Sequence, residues 1–160
     1  MTTAWRLVRP ERGGRGAAFS GEGARLYGGR WNSPGQAVVY ASATLSLAAL
    51  ETLVHADRRA FERDYLAFRL TLPDDAVLRL PQNEVPPGWR ARPVSPGARA
   101  VGDAWLRDGV SLGLWVPSVV VPPEHNLLLA PGHPRWPELT VSGPLPFRFD
   151  ARLEPGQLAP

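Results

Sequence analysis

The residues with the greatest chemical potential fall in four places along the chain. The densest is Ser20-Gly21-Glu22-Gly23-Ala24-Arg25-Leu26-Tyr27-Gly28-Gly29-Arg30-Trp31-Asn32. Glycines such as Gly29 let backbone approach a ligand closely and turn N–H groups toward anions. Arg30 can clamp a phosphate with two parallel hydrogen bonds. Tyr27 and Trp31 offer flat faces for stacking. Together these suit a nucleotide. The plainer alternative is a glycine loop that simply turns, with Trp31 as a core plug. The segment matches neither the dinucleotide-binding glycine fingerprint nor the phosphate loop of NTPases.

The second place is a carboxylate in an apolar helix. In Thr44–His55, Glu51 falls one turn after Leu47 and about 40° around the wheel from it. A carboxylate beside an apolar stripe costs several kcal/mol unless paired. An arginine or a ligand hydroxyl would satisfy it, and so would an edge position that reaches water. Tyr40 precedes it, at the end of the run Gln36–Ala41. The third place is Ser118, which interrupts the apolar Trp115–Val121, with Asn126 shortly after. No nucleophile-elbow motif surrounds Ser118, which disfavours a serine hydrolase and leaves a small strand residue as the plain reading. The fourth is Arg6, a charge between Trp5 and Leu7 that points to a cleft or to water. His55, His125 and His133 lack metal-ligand spacing and read as surface or packing residues.

Short elements must position these residues. Strands are expected over Trp5–Val8, Gln36–Ala41, Tyr65–Leu72, Ala76–Leu80, Leu114–Val121, His125–Leu129 and Leu145–Asp150. Helices are expected over Thr44–His55, capped by Ser42 or Thr44 with Leu47, Leu50 and Val54 inward, and over Arg99–Arg107, after a Ser95 cap and Pro96. Gly13–Gly29 is expected to hold no regular element, and Pro81–Pro93 to be a surface loop. The fold class is α+β in a single compact domain. Eighteen prolines argue for edge strands and irregular connections rather than a long regular sheet.

Composition narrows the function classes. The 160 residues suit one domain, and 44% apolar content suffices for a core. Without cysteine there is no disulfide, thiolate metal site or cysteine nucleophile. No apolar run approaches a membrane span, and the first residues carry no apolar signal region, so a cytoplasmic location is expected. All 18 basic residues are arginine, giving a net charge of +3 and a pI of about 10.1. That usage fits either a GC-rich genome or affinity for phosphate-bearing partners. A non-catalytic nucleotide- or RNA-binding module is the competing class, and the absence of a dense arginine block counts against it.

Read together, WR at the start, SGEGARLYGGRWN, VVYAS, SLAALETLVH, GDAWL, VPSVVVPPEHNLLL and PFRFDARL resemble the RES family, named for its arginine, glutamate and serine. The resemblance runs over residues 4–153, leaving 154–160 as a tail. It implies a fold related to ADP-ribosyltransferases and a cleft that takes NAD+ as substrate, with phosphate as a co-substrate in some members and no metal. Others in the family modify a protein. It implies catalytic roles for Arg30, Tyr40, Glu51 and Ser118. It implies NAD+ contacts from Arg6, Arg30, Tyr40 and Asn126, to which the reading of the glycine-rich segment adds Tyr27, Gly29 and Trp31. It also implies an Xre-like helix-turn-helix antitoxin as partner. A homodimer is compatible with exposed apolar strands; neither a membrane nor direct nucleic-acid contact is implied. The chain departs from the family at Ala130, where asparagine often precedes proline.

Overall fold

The structure, a computed structural model, describes residues 1–154; most of the expected tail, 155–160, lies outside the described residues. Its strands are β1 (Thr2–Val8), β2 (Val39–Ser42), β3 (Tyr65–Leu72), β4 (Val77–Arg79), β5 (Gly113–Pro117), β6 (His125–Leu129) and β7 (Thr140–Phe147). They form one seven-stranded sheet in the order β4-β5-β6-β2-β1-β3-β7. All pairings are antiparallel except β4 with β5. The helices are α1 (Arg15–Ala18), α2 (Glu22–Tyr27), α3 (Leu45–Leu53) and α4 (Pro96–Asp108). The α+β expectation holds.

The period-2 alternation of strands builds two cores on one sheet. Val39, Ala41, Leu127 and Leu129 join Phe68, Leu70 and Leu72 in one core. Leu128, Val116 and Leu114 join Trp31 and Trp105 in the other, with Tyr40 packed at its margin. The central strands are therefore apolar on both faces, which explains the unbroken LLL of β6. Because Tyr40 pairs with Leu128 and Ser42 with Asn126, these four residues share a face.

Several expectations are corrected. Glycines do not keep Gly13–Gly29 irregular. Gly14 and Gly21 stand at the starts of α1 and α2, and Gly28, at φ 71°, ends α2. Among the described residues the prolines keep, as expected, to connections, the start of α4, the end of β5 and the edge strand β7, but they do not prevent a seven-stranded sheet. β5 ends at Pro117 rather than Val121, because Ser118 Oγ accepts from the N–H groups of Val120 (3.1 Å) and Val121 (3.0 Å) and turns the chain. The last strand runs Thr140–Phe147, not Leu145–Asp150: β3 pairs with Thr140 and Val141, and Phe149 instead enters an aromatic cluster with Phe61, Tyr65 and Phe147.

α3 is capped by Thr44, whose side chain accepts from Leu47 N. It is rotated from the expected stripe. Leu50 and Val54 are 41% and 45% exposed. The inward face is Leu47 and Ala48, with Glu51 and Thr52 beside them. The small Ala48 lets this face lie over the sheet, which brings Glu51 to the cleft. α4 begins at Pro96 on the Ser95 cap and stops at Gly109 in the left-handed region. Its Gly102 packs on the backbone of Trp31; a Cβ there would come 1.6 Å from the Trp31 carbonyl oxygen. Asp103 accepts from Ser33 N (2.9 Å) and Ser33 Oγ (2.6 Å). α4 thus pins the 31–33 segment from two sides.

Candidate active site

A cleft of about 500 Å³ opens among β1, β2, α3 and the 28–31 loop, a volume within the range of small-molecule sites. Glu51 reaches it from α3. Its Oε1 accepts from Ser118 Oγ at 2.7 Å and from Asn126 Nδ2 at 2.6 Å. The carboxylate is satisfied by two neutral donors, neither an arginine nor water alone. Oε2 makes no hydrogen bond to the described residues. Ser118 is fully buried. It gives its proton to Glu51 while accepting from two backbone N–H groups, so its contact with the cleft runs through Glu51.

Two arginines border the same cleft. Arg6 Nε donates to the Ala18 carbonyl at 2.7 Å, and Nη1 donates to the Tyr40 carbonyl at 2.5 Å. Nη2 has no acceptor among the described residues. Burial, and then the neighbouring Arg12 cation, push the Arg6 guanidinium down to about 10. Arg30 Nη1 donates to the carbonyls of Trp89 (2.6 Å) and Ala91 (3.2 Å). Burial, then Arg92, hold its guanidinium below the usual value, against the pull of Glu51 and Tyr40. Among the described residues neither Arg6 nor Arg30 forms an ion pair. A partly buried cation without a counter-ion favours an anionic ligand, which restores the Coulomb energy that desolvation removes.

Tyr40 borders the cleft with its ring, but its hydroxyl is committed. It donates to Asn32 Oδ1 at 2.7 Å and accepts from Trp31 N at 3.1 Å. Burial pushes the phenol well above its ordinary value. Gly29 has no room for a side chain, since a Cβ would lie 2.5 Å from Tyr40 Oη and 2.8 Å from Asn32 Oδ1. That close approach is why glycine stands there. Trp31 is 2% exposed and packs on Trp89 at 5.8 Å, so its ring belongs to the core even though the residue borders the cleft. Tyr27 is the one expected contact that the fold does not bring in. It ends α2, is 77% exposed and is not part of the cleft wall. Helix α2 turns the ring outward, an orientation hidden while the segment is read as a loop.

The fold also recruits residues that the sequence reading left unassigned. Asn32 is fully buried. It donates to the carbonyls of Ala24, Ser33 and Gln36 while holding Tyr40. Its place at the end of GGRWN was the available signal. Thr52, on α3, and His55, just past its end, also line the cleft beside Glu51; the lining position of His55 departs from the surface-or-packing reading. Ser42 lines it too, and donates to Asn126 Oδ1 at 2.8 Å. Among the described residues no group of three or more His, Cys, Asp and Glu could hold a metal ion. No helix among them is long and apolar enough to cross a membrane.

The model of the RES domain family matches residues 3–150. A toxin named Res from Yersinia enterocolitica is 40% identical over 139 residues, covering 86% of this chain and 91% of the relative. A Prs ADP-ribosylating toxin from a Sphingobium species is 38% identical over 158 residues, covering 96% of this chain and 98% of that one. The fold superposes with a TM-score of 0.74 on a chain of the Mycobacterium tuberculosis MbcT–MbcA toxin–antitoxin complex, at 23% identity, over 91% of this chain and 84% of that chain. With the family model spanning nearly its whole length and two close relatives described as toxins, the chain belongs to the RES domain family of toxins.

Proposed function

We propose that the cleft binds NAD+ and that the protein breaks the bond between nicotinamide and ribose, passing the ADP-ribosyl group to water or phosphate. The observation that carries this reading is Glu51: a carboxylate held by Ser118 and Asn126 on one oxygen, in the wall of a cleft that it shares with two arginines without a carboxylate partner among the described residues. Arg6 and Arg30 suit the pyrophosphate, and their prior fixing by backbone carbonyls lowers the cost of ordering them. Tyr40 contributes its ring, since its hydroxyl is already engaged. Scission at the ribose carbon builds positive charge on the sugar, and a fixed carboxylate beside it stabilises that charge or orients the 2-hydroxyl. Ser118 and Asn126 keep the Glu51 side chain in one rotamer while this happens. An antitoxin partner is supported by the toxin–antitoxin complex of similar fold; its Xre-like helix-turn-helix type, its covering of the cleft and action in the cytoplasm belong to the same proposal.

A second acceptor has a specific observation behind it, because the relative that covers almost the whole chain is an ADP-ribosylating toxin. Incubation of the purified protein with NAD+, with and without phosphate, separates the outcomes by mass spectrometry. Loss of NAD+ with a phosphorylated ADP-ribose appearing only with phosphate means phosphorolysis. Loss without it means hydrolysis or cyclisation. Label from NAD+ fixed on a protein band in lysate means transfer to protein. NAD+ left intact under all these conditions by a folded protein overturns the reading.

A further inference from the structure

Ser42 ends β2 directly opposite Asn126 of β6. It is 4% exposed, yet borders the cleft. Its hydroxyl has one proton, which it donates to Asn126 Oδ1 at 2.8 Å. A primary amide carries its acceptor and its donors at opposite ends of one rigid plane. Fixing Oδ1 on Ser42 therefore aims Nδ2 at Glu51, where it donates at 2.6 Å. The two bonds run in the same sense, so each polarises the next. Without Ser42 the amide turns about a broad, roughly two-fold torsion, and cleft water can take Oδ1. The cost to folding is one neutral hydrogen bond; the loss to Glu51 is the alignment of one of its two donors.

We propose that Ser42 is a positioning residue for the NAD+ reaction, acting through Asn126 to hold the Glu51 carboxylate. This rests on the reading of Glu51 given above. Neither a remote structural role nor a direct contact with substrate predicts that the effect of Ser42 depends on Asn126.

The test is a double-mutant cycle of Ser42→Ala and Asn126→Ala, with Ser42→Thr as the conservative variant. In NAD+ kinetics, Ser42→Ala lowers kcat about tenfold and leaves KM within about twofold, Ser42→Thr restores most of the loss, and Ser42→Ala adds nothing once Asn126 is alanine. Equal losses in both backgrounds, or an effect on KM alone, overturn the proposal. A second readout is independent of turnover. The side-chain amide protons of Asn126, assigned by their absence in Asn126→Ala, include one shifted downfield by the bond to Glu51. That proton moves upfield in Ser42→Ala, and an unchanged position overturns the proposal whatever the kinetics. NAD+ left intact by the wild-type protein defeats the reading of the reaction, and the positioning role with it. In that event the amide resonance alone decides whether Ser42 holds Asn126.

Discussion

Replacing Glu51 by glutamine isolates charge from shape. The glutamine carbonyl can occupy the place of Oε1 and still accept from Ser118 and Asn126, now 2.7 and 2.6 Å away. Its new NH2 group falls where Oε2 makes no hydrogen bond to the described residues, so no buried donor is orphaned. The fold should therefore survive, with an unfolding midpoint close to wild type. Under the proposed reaction, what disappears is a negative charge beside the reacting sugar. At about 4 Å and an effective dielectric of about 20, that charge is worth about 4 kcal/mol to a full cation. A transition state carrying most of a unit charge then loses about a thousandfold in rate. The assay is NAD+ remaining over time, by mass spectrometry, with circular dichroism confirming the fold. A folded Glu51→Gln protein that consumes NAD+ within about tenfold of wild type refutes the assignment of Glu51.

Three further outcomes follow from the geometry. Ser118→Ala removes the acceptor of two backbone N–H groups and one donor to Glu51; it should cost about 2 kcal/mol in urea unfolding, and a stability equal to wild type would contradict the turn that it is said to lock. Gly102→Ala places a Cβ against the Trp31 carbonyl, which backbone cannot yield to cheaply; a loss of about 3 kcal/mol is expected, checked by the same denaturation, and a neutral effect would mean that α4 does not pin that loop. His125 is held below its ordinary 6.5 by burial and then by Arg79. A base whose folded value is depressed favours the folded state above 6.5, and this contribution fades as pH falls toward the folded value. Its ring-proton NMR titration should have a midpoint below 6.5, and a midpoint above would reverse the sign.

Periodicity was legible where strands are apolar and bounded by turn residues. β3 and β6 lie where alternation and β-branched or leucine runs place them. The cap at Ser95 was likewise local chemistry. Errors came where a distant partner decided the outcome. β7 shifted because its pairing with β3 outweighed its own pattern, and β5 stopped because Ser118 found acceptor work two and three residues on. Tyr27 left the cleft because its segment coils into a helix whose ring side faces water.

By itself the sequence determined the residue types of the candidate site, since the arginines, the carboxylate in an apolar helix and the serine break local patterns that packing alone would not choose. It also determined the family, through an ordered set of motifs spanning nearly the whole chain. Only the tertiary structure decided how these groups are joined. That Glu51 meets Ser118 and Asn126 rather than an arginine, and that Ser42 stands behind Asn126, depends on the register of β2 against β6 and on the rotation of α3 over the sheet. A side chain's local sequence sets its chemistry. Its hydrogen-bond partners are set by strand order and helix rotation, which the summed packing of both cores determines.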